Sequence, residues 1–220
     1  MKKMLVIIII LAFILLGMIT YRSGATRKIT QVTIDEINNI EEYISKIYLW
    51  KEITNQALPT FEDINNAPDE WLWEVVKKNV ENYESSEEEI QLKAKEIFGI
   101  NFNKAFPKEN CISFEFYADI NKYLATETIL DEKDDSFLIN KIEKTNEGYS
   151  VEIIEYLADY SVENNIIIRN LNEQEVYKAD INENEAKIQE IIKTNIESFT
   201  KKNIELKLNE EEKIIVTKIS

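Results

Sequence analysis

The sequence predicts an α+β protein: an N-terminal transmembrane helix, then three helices packed on a curved, mostly antiparallel sheet, with one more helix late in the chain. Three observations carry this. Residues Met4 to Tyr21 read MLVIIIILAFILLGMITY, with no charge among them. From residue 34 to residue 98 apolar side chains recur at helical spacing, and after Pro107 the period falls to two. The later strands then follow one another through short turns instead of alternating with helices, which separates α+β from a βαβ array.

At about 1.5 Å per residue the N-terminal run makes a helix of roughly 27 Å, close to the thickness of a bilayer's hydrocarbon core. Met1-Lys2-Lys3 ahead of it is the layout of a bacterial export signal. Ser23-Gly24-Ala25 offers a small-x-small cleavage site, but the run is longer and more branched than a signal core of about 7–15 residues, which favours a retained anchor. Lys2 and Lys3 nearly balance Arg22, Arg27 and Lys28 across it, and long acidic domains after such a run are more often exported than kept. A single-pass protein of the cell membrane is expected, with residues 4–21 in lipid and residues 29–220 outside the cytoplasm. Residues 1–28 are the anchor, 29–107 a helical segment and 108–220 a sheet with its helix, the last two forming one domain.

Five of the 26 basic residues lie in the first 28 positions and none of the 41 acids does, so residues 29–220 carry 21 bases against 41 acids, a net charge of −20. A domain that acidic repels phosphate backbones, so nucleic acid is excluded as a partner. It also stands off anionic lipid, and the same charge serves solubility with no ligand at all. The weight of Ile, Asn, Lys and Glu fits an AT-rich bacterial genome.

The elements follow in order. Thr33 and Glu36 form a capping-box pair for a helix over 34–52, with Ile34, Ile37, Ile40, Ile44, Ile47 and Tyr48 on its stripe. Thr60 can cap one turn at Phe61-Glu62-Asp63. Pro68 with Asp69 and Glu70 opens a second helix over 69–83, where the missing N–H costs nothing and the dipole favours acids. Ser85-Ser86 with Glu88 and Glu89 caps a third, through Ile90, Ala94, Ile97 and Phe98 to a stop at Gly99. Three helices thus precede any strand.

Ile112, Phe114 and Phe116 alternate with Ser113, Glu115 and Tyr117, the pattern of a strand with one buried face. Further strands are expected at Tyr123–Leu130, Phe137–Lys144, Tyr149–Tyr160, Ile166–Leu171 and Glu175–Ile181, with turns at Asn146-Glu147-Gly148, Glu163-Asn164-Asn165 and Asn172-Glu173. Asn184 caps the late helix, whose stripe is Ile188, Ile191, Ile192, Ile196 and Phe199 and whose end carries Lys201 and Lys202. Strands Ile204–Leu208 and Ile214–Ile219 close the chain. In element order this resembles the NTF2-like extracytoplasmic domains, in which N-terminal helices wrap a cupped sheet; the likeness is one of order alone and brings no function with it.

The chain has no histidine, which removes Ser-His-Asp and Cys-His catalysis and any His-containing metal site. Its four glycines are isolated, so there is no phosphate-cradling loop, and no cofactor is expected. Cys111, just ahead of an apolar strand, reads as a structural thiol. Asp131-Glu132-Lys133-Asp134-Asp135 departs from a calcium loop, with Lys133 where an oxygen ligand belongs, and reads as a solvated turn; no metal is expected. Trp71 and Trp73 are two apart on a helix and so face different directions, which puts one in the core and the other at a rim or partner surface. On the strand after Gly148, Tyr149, Val151, Ile153 and Glu155 share one face and Ile154 and Tyr156 the other; Glu152 looks to solvent and Glu155 into a cavity. Trp71, Trp73, Glu155 and Tyr156 are therefore the candidate ligand or partner surface, with no catalytic residue assigned. The expected role is a binding, accessory or assembly component of the cell envelope with a protein partner. The alternative is an anchored hydrolase of wall glycan working through paired carboxylates.

Overall fold

The computed structural model describes residues 31–49, 57–109, 111–127, 133–160, 164–180, 182–183 and 185–220, and Val32–Ser220 is one compact unit. The expected membrane run, residues 50–52 of the first predicted helix, the Asn184 cap, and Asp131 and Glu132 of the acidic turn lie outside the described residues. Among the described residues no helix is long and apolar enough to cross a membrane. Within them the fold is α+β, with four helices against antiparallel sheets: α1 (Ile34–Ile47), α2 (Asp69–Asn79), α3 (Glu87–Phe98) and α4 (Glu185–Thr194). Strands β1 (Glu84–Ser85), β2 (Phe114–Tyr117) and β3 (Lys122–Ala125) make a small sheet in the order β1-β3-β2. The larger sheet holds β4 (Lys133–Lys144), β5 (Gly148–Asp159), β6 (Asn165–Arg169), β7 (Glu175–Asp180), β8 (Thr200–Leu208) and β9 (Ile214–Ile219).

Strand β5 is the axis of that sheet. Along one edge it pairs with β4 from end to end; along the other it pairs with β8 from Gly148 to Glu155 and with β6 from Leu157 to Asp159. The sheet therefore forks at Tyr156. Side chains of a strand alternate between faces, and β5 is apolar on both. Tyr149, Val151 and Ile153 join Ile204, Leu206, Val216 and Ile219 in a core closed by α1, α2 and α3. Ile154 and Ala158 join Leu138, Ile166, Ile168 and Ala179 in a second core closed by Ile192 of α4 and by Phe199. Fully burying one such aliphatic side chain contributes about 1.5–3 kcal/mol, so neither face is left open.

The helix starts are set by local chemistry. Thr33 and Glu36 cap α1 reciprocally, and Ser86 and Glu89 do the same for α3, each serine or threonine oxygen taking an N–H and each glutamate returning to the cap's own N–H. Helix α3 ends at Gly99, whose φ of +95° suits a residue without Cβ. Gly148 is required at the β4–β5 turn because a Cβ there would collide with the Leu206 carbonyl. Two side chains then fasten α1 to the rest. The Tyr43 hydroxyl, buried, donates to the Ile97 carbonyl at 3.0 Å and accepts from Val216 N–H at 2.8 Å, joining α1, α3 and β9. At the other end Glu36 accepts from Lys144 Nζ at 2.6 Å and from the Tyr149 hydroxyl at 2.7 Å.

Several expectations need correction. Helix α1 stops at Ile47, and Ile34 and Ile37 at its start are exposed, so only the later half of the stripe meets the core. The turn near residue 63 is capped by Asp63, whose carboxylate takes Asn65 N–H at 2.8 Å, while Phe61 is drawn into a bridge with Ile219. Helix α2 ends at Asn79. A strand does precede α3: Glu84 and Ser85 pair with β3. In β2 only Phe114 is buried and Ile112 and Phe116 are exposed, because β2 sits at the edge of the small sheet instead of inside a large one. Lys133, Asp134 and Asp135 open β4 and do not sit in a turn. Lys201 and Lys202 lie in β8, which begins at Thr200 because pairing with β5 takes the chain over as soon as the turn at Ile196–Ser198 ends α4's stripe.

Two outcomes follow from the fastenings. Tyr43→Phe leaves the Val216 N–H buried without its acceptor, and denaturant unfolding should show a loss of about 1–3 kcal/mol. Glu36 is held down to about 2 from 4.5, first by Lys144, then by the Thr33 N–H and the Tyr149 hydroxyl, and Tyr149 is pushed up to about 12 by burial and by Glu36. A lowered carboxyl contributes stability that is complete above 4.5 and lost as pH falls toward about 2. The thermal midpoint of Glu36→Gln should therefore fall less than that of the parent across this window; parallel curves would refute the assignment.

Candidate functional site

A groove of about 480 Å³ opens where four separated pieces of chain meet. Helix α1 supplies Asn39, Glu42, Tyr43 and Lys46, the end of α2 Asn79, helix α3 Lys93, Glu96 and Ile97, and the β8–β9 turn Glu212, Lys213 and Ile214. Helical spacing explains the first and third sets: residues three and four apart share a face, and the apolar stripes of α1 and α3 turn their polar neighbours to this opening. Tyr43 and Ile97 sit at its base, tied together by the hydroxyl bond described above.

Each lysine of the groove has a carboxylate at hand. Lys46 lies 2.7 Å from Glu42, Lys93 2.7 Å from Glu96 and Lys213 2.8 Å from Glu211. Hydrogen bonding to Lys46 holds the Glu42 carboxyl below its ordinary value, and Lys213 does the same for Glu211, which in turn raises Lys213. Exposed pairs of this kind contribute little, so a ligand can take one partner over at little cost. The arrangement suits recognition of charged, polar groups.

A second polar cluster is buried beneath the small sheet. Glu74 of α2 lies 2.5 Å from Lys77 and accepts from the Ser113 hydroxyl at 2.8 Å, and Thr126 bonds the carbonyls of Ile112 and Ser113. Burial pushes the neighbouring Cys111 thiol up, the direction of an unreactive thiol. This cluster clamps α2 to β2 and β3.

The four residues singled out from the sequence are not brought together, and none lines the groove. Trp71 and Trp73 do face different ways, but both are only 1% exposed, which corrects the expectation that one stands at a rim. The reason is that α2 is enclosed all round, with Trp71 through Val76 buried without interruption. Trp71 packs on Phe61 and Phe98, and Trp73 on Phe102 and Phe106. Glu155, also 1% exposed, stands on β5 between Phe137 and Thr200, and Tyr156 is half-buried on the opposite face against the α4 core. Glu152 is half-buried and accepts from the Asn140 amide. The groove itself escaped sequence reasoning because its lysine–glutamate spacings, 42 with 46 and 93 with 96, read as ordinary solvated helix faces. Compared with known proteins, the chain matches no family model, no curated protein and no solved structure.

The two indoles differ in one respect. Trp71 Nε1 donates to the Ala57 carbonyl at 3.2 Å, whereas Trp73 Nε1 has no hydrogen-bond partner among the described residues. Trp71→Phe should therefore destabilise the fold by about 1 kcal/mol more than Trp73→Phe, read from paired urea titrations, and the reverse order would contradict the assignment.

Proposed function

We propose that this chain is an accessory or assembly component of a bacterial cell envelope: a single-pass membrane protein whose acidic α+β body works outside the cytoplasm by binding a protein partner. The observation that carries the reading is the uncharged run from Met4 to Tyr21 ahead of a body with a net charge of −20. The run is long enough to span, and a body so charged is held off anionic lipid, free to meet another protein. The groove supports recognition over chemistry: its lysines pair with carboxylates, Lys46 with Glu42, Lys93 with Glu96 and Lys213 with Glu211, and present both signs of charge for a partner to meet.

The test is fractionation of the full chain in a bacterial host, with protease added outside intact spheroplasts. The body should sediment with membranes, require detergent for release and be digested from outside. Recovery of intact chain from the cytosol, or protection from external protease, would overturn the proposal.

A further inference from the structure

Strand β2 ends the small sheet, bonded to β3 on one side. Thr126 N–H donates to the Ser113 carbonyl, so by the alternation of an antiparallel ladder residues 113, 115 and 117 turn their main-chain groups to β3 and Phe116 turns its N–H and C=O outward. The Phe114 N–H, which faces the same way, donates to the Cys111 sulfur, and among the described residues no bond between main-chain groups reaches that outer side. Exposed apolar side chains run along it: Ile112, Phe116, Tyr117 and Ile120, between 43% and 74% exposed.

The other edges are defended. Strand β4 carries a bulge between Ile139 and Lys141, then Lys141, Glu143 and Lys144 beyond it, and the Tyr48 hydroxyl on its Ser136 carbonyl. Strand β9 is bridged to Phe61 through two main-chain bonds of 2.8 and 3.0 Å. Strand β7 places Glu175, Lys178 and Asp180 among six residues, and β1 is two residues long. Lysines, bulges and cover are how proteins blunt sheet edges; among the described residues β2 has no lysine and no bulge, and Phe116 has no main-chain partner on its outer side. From Ile112 to Ile120 the chain carries Glu115 and Asp119 and no base, and the nearest lysine along the sheet, Lys122, is paired with Glu84.

We propose that the outer edge of β2 docks an extended cationic segment of a partner protein, which adds a strand to the small sheet. Its lysines or arginines meet Glu115 and Asp119, and its alternate apolar residues cover Phe116 and Ile112. A second copy of this chain is disfavoured, because it would bring Glu115 and Asp119 against their own equivalents on a body of net charge −20. The inference rests on the reading of the chain as a partner-binding component and gives that partner a chemistry.

The experiment uses the full chain in detergent and a fluorescent peptide of alternating valine and lysine, at physiological ionic strength. The peptide should bind and protect the Phe116 amide from hydrogen exchange. Glu115→Lys should weaken binding roughly tenfold while Glu41→Lys, the same charge change on exposed α1, leaves it nearly unchanged. A peptide N-methylated at alternate residues, or with glutamate for lysine, should lose binding. Equal binding by the N-methylated peptide, or equal losses from both charge reversals, would overturn the proposal, as would self-association through β2 without peptide. Such a failure with the chain still at the membrane leaves the envelope assignment intact, whereas a cytosolic chain that binds the peptide overturns only that assignment.

Discussion

A strand of twelve residues that is apolar on both faces cannot end a layer; it must be the middle of one. Val151 and Ile153 point one way and Ile154 and Ala158 the other, and water is kept from both sides only if each receives its own cover. That requirement places α1, α2 and α3 on one side of β5 and α4 on the other. It also accounts for the fork. With β4 occupying the whole of one edge, the other must satisfy main-chain groups over twelve residues, and β8 does so as far as Glu155 and β6 beyond Tyr156.

What could be read from the sequence was mostly what is decided within a few residues. Thr33 with Glu36, Ser86 with Glu89, Pro68 and Gly99 mark helix ends by their own hydrogen-bonding geometry, and each stands where the spacing placed it. The strand over Tyr149–Tyr160 was equally plain, since a short run dense in branched and aromatic residues behind Asn146-Glu147-Gly148 marks a strand wherever it ends up. The failures belong to decisions made at a distance. Nothing near Trp71 or Trp73 tells that Phe61, Phe98, Phe102 and Phe106 converge from both flanks to bury the pair. Ile112 and Phe116 alternate as a buried strand would, yet they stand at the rim of the small sheet, where the layer that buries Phe114 does not reach over them. Thr200 became strand because β5 lay beside it. The groove was least legible of all, being assembled from α1, α2, α3 and a turn close to the end of the chain, out of residue types that usually mean solvated surface.

The charged residues divide by setting. On the open surface lysines and acids pair over short distances along one element, as at Glu42 with Lys46 and Lys187 with Glu190, where each pair contributes little. Under the small sheet Glu74 and Lys77 are enclosed, with Ser113 and Thr126 completing their bonds. Removing one member there leaves a charge in a dry setting, so that pair fixes how α2 meets β2 and β3 even if it adds no net stability.

The Tyr43 hydroxyl has a consequence for what the groove can sense. Its proton is committed to Ile97 and its oxygen already accepts from Val216, so the hydroxyl at the floor is engaged from within. Discrimination therefore falls to the walls, to lysine and glutamate side chains that the scaffold does not need for its own cohesion. A lineage could rewrite those walls, and with them the choice of guest, without disturbing the bond that holds three elements together underneath.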